Sequence, residues 1–430
     1  MGLAAISALV LPAIAWAQGP DGGPISAGDT AFVLGSASLV MVMTPALAFF
    51  YGGMVRNKNA LGTIMHSFVI IALISVQWVL WGYSLAFGPD RWGLIGGLDW
   101  VGLNGVGLTP NPDYAPTIPH QAYMIFQGMF AVITPALITG AFAERMKFKS
   151  FLIFTLLWST LVYDPVAHWV WGAGGWLHQL GALDFAGGAV VHITSGVGAL
   201  AAALVVGKRK GVEDGAVEPH DIPMIVLGAG FLWFGWFGFN AGSAVASGAL
   251  ATSAFVVTNT SAAMGALVWM TLSWAFSGKP SVVGTVSGAI AGLAAVTPAA
   301  GYVTPMGAIV IGLVAGVLCY LAVRWRSRSP LDDSLDVWGV HGVGGTWGVL
   351  AVGLLATLAV NANGANGLLY GNINQLWVQL TAVVVLWVYS FVLTFGILKL
   401  VDAIFGLRVP EHEEAEGLDI SQHGEVAYNS

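Results

Sequence analysis

The 430 residues are 57% hydrophobic and only 9% charged, with a net charge of −7 and a mean hydropathy of +0.78. A soluble domain carries about 25% charged residues, so this composition excludes an ordinary soluble enzyme and marks a polytopic integral membrane protein, whose membrane-length apolar runs below make it all-α. The basic residues are scattered through short loops, which excludes a nucleic-acid footprint. Cys319 stands alone, which excludes an intrachain disulfide or a thiolate metal cluster.

Residues 1–17, in MGLAAISALVLPAIAWAQG, read as a secretory signal peptide with small residues at Ala15 and Ala17. The stretch has no Lys or Arg, so an uncleaved hydrophobic N-terminus is the alternative. Beyond it, apolar runs of membrane length predict eleven transmembrane helices at 31–54, 60–88, 120–143, 150–170, 185–207, 222–242, 251–276, 281–297, 306–325, 337–358 and 377–405. Fourteen of the fifteen Lys and Arg residues fall in the loops after the odd-numbered spans or flank the end of the last; only Arg91 lies on the other side. Positive loops stay cytoplasmic, so the N-terminus is expected outside and the C-terminus inside, in a cell inner (plasma) membrane.

The spans divide into two blocks of five, residues 31–207 and 222–358, separated by a cytoplasmic loop at 208–221 and followed by an eleventh helix at 377–405 and a tail at 406–430. An odd number of spans per block forces the blocks into opposite orientations, an inverted five-plus-five pseudo-two-fold repeat whose site is expected near the midplane. The last helix of each block carries a lone histidine, His192 in FAGGAVVHITSGVGAL and His341 in VWGVHGVGGTW. An ionisable group in a membrane helix is costly and is a functional-site hypothesis by default. Each follows an aspartate: Asp184 to His192 is eight residues and Asp336 to His341 is five, or roughly 12 and 8 Å of helix. Those depths, measured from opposite faces, bring the two rings towards one layer. The other seven histidines lie near span ends, in a loop or in the tail, and are expected to be interfacial or solvated. Asp184 can be read as a cation site, but its position before Phe185-Ala186-Gly187 fits a structural N-cap accepting backbone N–H bonds at least as well.

Several segments carry a family resemblance. GALDFAGGAVVHITSGVGAL, WFGWFGFNAGSA, GKPSVVGTVSGAIAGLAAVTPAAGY and LDVWGVHGVGG, with FFYGGMVRNKN and GAFAERMKF before them, resemble the ammonium transporter family (Amt/MEP/Rh), on its bacterial Amt side. The resemblance runs in order from about residue 30 to the C-terminus. It implies a homotrimer with one pore per subunit, and ammonium or ammonia as the substrate. It places an external ammonium-binding site at Phe126, Trp171 and Ser243, where an aromatic face and a hydroxyl can hold a cation without a carboxylate to trap it. It makes Phe130 and Phe239 the gate below that site, and His192 and His341 the pore pair that relays a proton while NH3 crosses a hydrophobic lumen.

Two other readings remain open, a passive NH3 gas channel and an ammonium-sensing receptor with little flux. No nucleophile, cofactor loop or metal cluster accompanies the histidines, so no enzyme activity, cofactor or metal is expected. The acidic tail has the composition of a disordered, solvated segment. The resemblance instead implies docking beneath neighbouring subunits and a possible PII-type regulatory partner at the cytoplasmic face.

Overall fold

The structure is a computed structural model that describes residues 25–211 and 218–428; the signal-peptide reading of residues 1–17 lies outside them. Among these residues eleven helices are long and apolar enough to cross a membrane: α1 Ala27–Met54, α2 Asn57–Phe87, α3 His120–Ala141, α4 Phe148–Leu180, α5 Gly188–Val206, α6 Ile222–Gly242, α7 Ala249–Ser277, α8 Val282–Ala299, α9 Pro305–Arg326, α10 Trp338–Leu355 and α11 Ile373–Phe405. Side-chain caps set four of the starts. The hydroxyls of Ser26, Ser281 and Thr304 and the carboxylate of Asp221 each accept an amide from the first turn of α1, α8, α9 and α6. The fourth span runs ten residues beyond its expected end, because the helix resumes at Trp176 after a break at Gly172–Gly175. A two-stranded hairpin, β1 Asp90–Arg91 with β2 Ile95–Gly96, forms part of the α2–α3 connection.

Corresponding helices of the two blocks pack on one another. The opening helices α1 and α6 run together along their length, and the closing helices α5 and α10 cross. On α6, Gly228, Gly235, Gly238 and Gly242 face Phe50, Met43, Leu39 and Ser36 so closely that a Cβ at any of them would overlap α1. Small residues at such a contact replace the hydrophobic drive that lipid cannot supply between helices. The helices are thereby layered about a centre, with α3 and α5 almost wholly enclosed and α7 and α11 mostly open to the surroundings.

The face that carries the basic loops is tied together by buried charge. Arg145 is fully buried and donates to the carbonyls of Ala141, Ala143, Gly207 and Asp332, and to Ser334. Arg209 pairs with Asp332, donating at 2.9 Å to each carboxylate oxygen. Burial alone would raise the Asp332 carboxyl, but the bonds from Arg209 and the field of Arg145 hold it down at about 2. One guanidinium thus bridges the α5–α6 loop of the first block to the α9–α10 loop of the second.

The tail is not a solvated coil. It turns back along the same face, where the Lys147 amide donates to the Leu407 carbonyl and the Val409 amide to that of Arg145. A short helix, α12 Glu411–Glu416, then presents Glu414 to Arg408 at 2.8 and 2.9 Å and to the Lys210 amide at 2.6 Å. Asp419 accepts the Leu61 and Gly62 amides at 3.0 and 2.8 Å, capping the start of α2. The acidity that suggests disorder is matched here to orphan amides and to the partly buried Arg408.

Three histidines also depart from the expected solvated role. His120 bonds to the Tyr83 hydroxyl at 2.6 Å, His168 spans the Ala86 carbonyl and Asp90, and His66 packs among Phe142, Phe148 and Phe151. Each is less than 5% exposed. Nearness to a span end does not imply exposure where loops fold over that end.

Arg209→Met is expected to leave Asp332 buried without its partner and to cost about 3–5 kcal/mol. A thermal melt of the detergent-solubilised protein should show this as a lowered midpoint, with Arg209→Met/Asp332→Leu recovering most of the loss.

Candidate functional site

Asp184 begins the site. Its two carboxylate oxygens accept four successive amides, Gly187 and Gly188 at 2.9 and 2.7 Å and Ala189 and Val190 at 2.9 and 3.0 Å. That satisfies the donors a helix start cannot pair internally. Its own carbonyl accepts the Trp171 indole N–H at 2.9 Å, so one residue fixes both the start of α5 and the orientation of Trp171. The first turn of α5 is widened, with the His192 amide donating five residues back to Gly187. An equivalent wide turn, Trp338–Gly342, surrounds His341. Such insertions re-aim side chains and recur at functional sites.

The equivalent cap of α10 is Asp333 rather than Asp336. Asp333 is fully buried and accepts the Trp338 amide at 2.7 Å, while Asp336 turns away to pair with Arg326. The spacing from Asp333 to His341 is then eight residues, the same as from Asp184 to His192. Both aspartates are removed from the histidines.

The histidine rings meet where α5 and α10 cross. His192 Nδ1 and His341 Nδ1 are 3.2 Å apart, with both rings almost fully buried. One Nδ1 must therefore donate while the other accepts, which leaves one Nε2 protonated and the other bare. Two glycines make the approach possible, each four residues beyond a histidine. A Cβ on Gly196 would overlap the Gly342 backbone, and one on Gly345 would press on His192. The shared pattern His-x-x-x-Gly, in HITSG and HGVGG, was available in the sequence as the signal of this contact. Trp236 backs the pair, its ring 5.3 Å from that of His192 and its N–H held by Thr297 at 2.8 Å.

Around the pair lies a small enclosed lumen of about 10 Å³, room for about one water-sized molecule. Ten apolar side chains and the two histidines line it, among them Leu47, Ile133, Val191, Leu232 and Phe239. His192 Nε2 is buried there without a hydrogen-bond partner. Below, a vestibule of about 750 Å³ opens on the basic face and shares Phe50, Ile290 and His341 with the lumen.

Above the lumen the phenylalanines close ranks. Phe130 and Phe239 have ring centroids 4.3 Å apart, and Phe239 lies 6.0 Å from His192. Phe130 also meets Phe126 at 5.0 Å and the half-buried Trp171 at 6.0 Å, edge to face in both cases. Ser243 sits one turn beyond Phe239 at the end of α6 and donates its hydroxyl to the Phe239 carbonyl, leaving its oxygen lone pairs free to accept. The four aromatic rings thus form one connected group. Ser243 joins it through the α6 backbone, with no direct bond to Trp171.

A family model described as Ammonium Transporter Family matches residues 31–428. The chain belongs to the ammonium transporter family. It is 54% identical over 403 residues to an ammonium transporter of Bacillus subtilis, covering 93% of this chain and 98% of that one. It is 53% identical over 404 residues to the ammonium transporter Amt1 of Archaeoglobus fulgidus, covering 94% and 100%. Among solved structures it resembles Mep2 of Candida albicans, with a TM-score of 0.86 at 38% identity over 90% of this chain and 88% of that one.

Two expectations follow from this geometry. Gly196→Ala should force α5 from α10 at a cost of about 1–3 kcal/mol or more. It should abolish ammonium-dependent current in proteoliposomes, whereas Gly230→Ala, where a Cβ meets nothing within 4 Å, should be silent. The second concerns Asp333. Burial and the neighbouring Asp336 push its carboxyl up to about 7 from an ordinary 3.8, despite the amide bond from Trp338. The folded protein thus holds a proton that the unfolded chain has already released, so stability falls as pH rises from about 4 to 7 and is flat above. Melts between about pH 5 and 8 should show the midpoint of the unmodified protein declining, and that slope reduced in Asp333→Asn.

Proposed function

We propose that ammonium is received at the outer aromatic group, loses a proton, and crosses the lumen as NH3 while His192 and His341 carry the proton across and return it to NH3 on the far side. The observation that carries this reading is an apolar lumen whose polar side chains are the two histidines, bonded to each other. An intact ion entering such a space would meet a desolvation cost of tens of kcal/mol in the idealised limit. Deprotonation near neutral pH costs far less, on the order of 3–5 kcal/mol by analogy with the lysine ammonium. A potassium ion has no proton to shed, so the same route rejects it.

The roles divide along the path. The π faces of Trp171 and Phe126, with the Ser243 oxygen as acceptor, hold the cation outside. Phe130 and Phe239 keep water from the lumen. The paired Nδ1 atoms let one proton shift between rings as the two Nε2 atoms exchange donor and acceptor states, which histidine can do near neutral pH. The distribution of basic loops supports an outside N-terminus and a cytoplasmic C-terminus, and a cell inner (plasma) membrane belongs to the same reading. A homotrimer and a PII-type regulatory partner on the basic face rest on the family likeness and belong to the same proposal.

Proteoliposomes in which methylammonium uptake and solid-supported-membrane current are recorded together test the mechanism. The unmodified protein should give a current with each uptake event, and His192→Ala or His341→Ala should lower current by roughly 10²-fold, the scale of one positioned proton-transfer group. Uptake by the unmodified protein without any current would overturn the proton return and favour a passive gas channel. Binding without uptake would favour a receptor.

A further inference from the structure

Four turns within the described spans are widened. Two surround His192 and His341; the other two, Trp78–Gly82 on α2 and Ser159–Tyr163 on α4, border neither the lumen nor the vestibule. Instead they are joined to each other. Gln77, just before the first, donates its Nε2 to Asp164 Oδ2 at 2.8 Å, and Asp164 stands just after the second. Trp81, inside the first, donates its indole N–H at 3.0 Å to the Thr160 hydroxyl inside the second. Gly82 leaves the room that the Gln77 amide occupies, since a Cβ there would lie 2.6 Å from Oε1. Wide turns of this kind recur at functional sites. We infer that Asp164 is a proton-binding site of the membrane domain, separate from the histidine pair, and that its proton braces the bend in α4 that carries Trp171.

Asp164 is fully buried within a membrane span, and among the described residues its carboxyl is bonded to Gln77 alone. No Lys, Arg or His among them forms an ion pair with it. The packed elements bring Tyr83 of α2, Tyr123 of α3, Tyr163 of α4 and Tyr389 of α11 to this region, all of them phenols. His120 is engaged by Tyr83, His168 by Ala86 and Asp90, and Asp184 by four amides. An ionised carboxylate here would thus be an uncompensated charge at membrane depth, which is costly. The unpartnered atoms tell the same story. Asp164 Oδ1, Gln77 Oε1 and the hydroxyls of Ser159 and Tyr163 are all buried without a hydrogen-bond partner. One proton on Oδ1 removes the charge and turns an orphan acceptor into a donor, beside oxygens that can accept. A proton also needs no cavity to hold it.

The chain around Asp164 makes α4 a hinge. Pro165 has no amide, which leaves the Leu161 carbonyl to accept the Tyr389 hydroxyl of α11 at 2.8 Å. A widened turn followed by a proline bends a helix. From Asp164 the helix runs unbroken to Trp171, seven residues or roughly 10 Å away. The bond to Gln77 ties this hinge to α2, so the proton that keeps the tie neutral keeps Trp171 against Phe130. Asp164 is in this sense a positioning residue. The consequence for transport rests on the reading of Trp171 as part of the outer site; the proton itself does not.

Infrared spectra of the full chain in liposomes at neutral pH test the proton. The difference between the unmodified protein and Asp164→Asn should contain the carbonyl stretch of a protonated carboxyl, since Asp333 is common to both and cancels. A difference made of ionised-carboxylate bands would overturn the proposal. Methylammonium uptake by the same liposomes tests the brace. Asp164→Leu should raise the half-saturating concentration by roughly fivefold at an unchanged maximal rate, the scale of one hydrogen bond. Asp164→Asn, neutral and able both to donate and to accept, should restore it. Where Asp164→Leu fails to fold, Gln77→Leu reports the same loss. An unchanged half-saturating concentration in the folded Leu variants would overturn the brace, and so would Asp164→Asn as impaired as they are. Trp171→Leu, measured alongside, separates the two readings: uptake unaltered by it would sink the outer-site reading, while the infrared result still decides the proton.

Discussion

Two imidazoles buried in an apolar lumen have only each other to bond, and that requirement governs the architecture around them. A 3.2 Å contact between rings on different helices demands that α5 and α10 touch at the backbone. Touching backbones demand glycine at Gly196 and Gly345, and re-aimed rings demand the widened turns at Gly188–Ile193 and Trp338–Gly342. Those helices start at aspartates that absorb the amides exposed there. A carboxylate on the lumen wall would have satisfied the rings more cheaply, but it would also trap any cation that reached it. Keeping Asp184 and Asp333 eight residues away uses their charge for structure and withholds it from the pore.

Much of this was legible in the chain. The eleven spans, the division into two fives and the common depth of His192 and His341 all follow from hydropathy, loop charge and helix rise, because these properties are local and additive along the sequence. The errors arise where tertiary context decides. Asp336 and Asp333 are three residues apart and chemically identical; only the position of Arg326 shows which one pairs with a cation and which one caps α10. His120 and His168 look interfacial by position, yet loop residues and Tyr83 enclose them. The acidic tail has a disordered composition when read alone, and its docking was expected only from the family likeness; the α2 amides and Arg408 of the same chain receive it.

The aromatic side chains could be recognised only by likeness to a family, since phenylalanine in an apolar helix is ordinarily packing. What distinguishes Phe130 is its contact with Phe126, Trp171 and Phe239 at once, which joins the outer group to the ceiling of the lumen. Trp171 is in turn fastened to the Asp184 carbonyl, so the outer group and the cap of α5 share a single anchoring residue. On the opposite face, Arg145 binds carbonyls from both halves of the chain. The pore is thus held at both ends by hydrogen bonds that cross between helices, and in the middle by the imidazole bond and the Trp236 N–H donated to Thr297.

The narrow space of about 10 Å³ beside the histidines also bounds what their rings can meet. Room for about one water-sized molecule leaves none for a solute that keeps its hydration shell, so whatever touches the rings there does so stripped of its water.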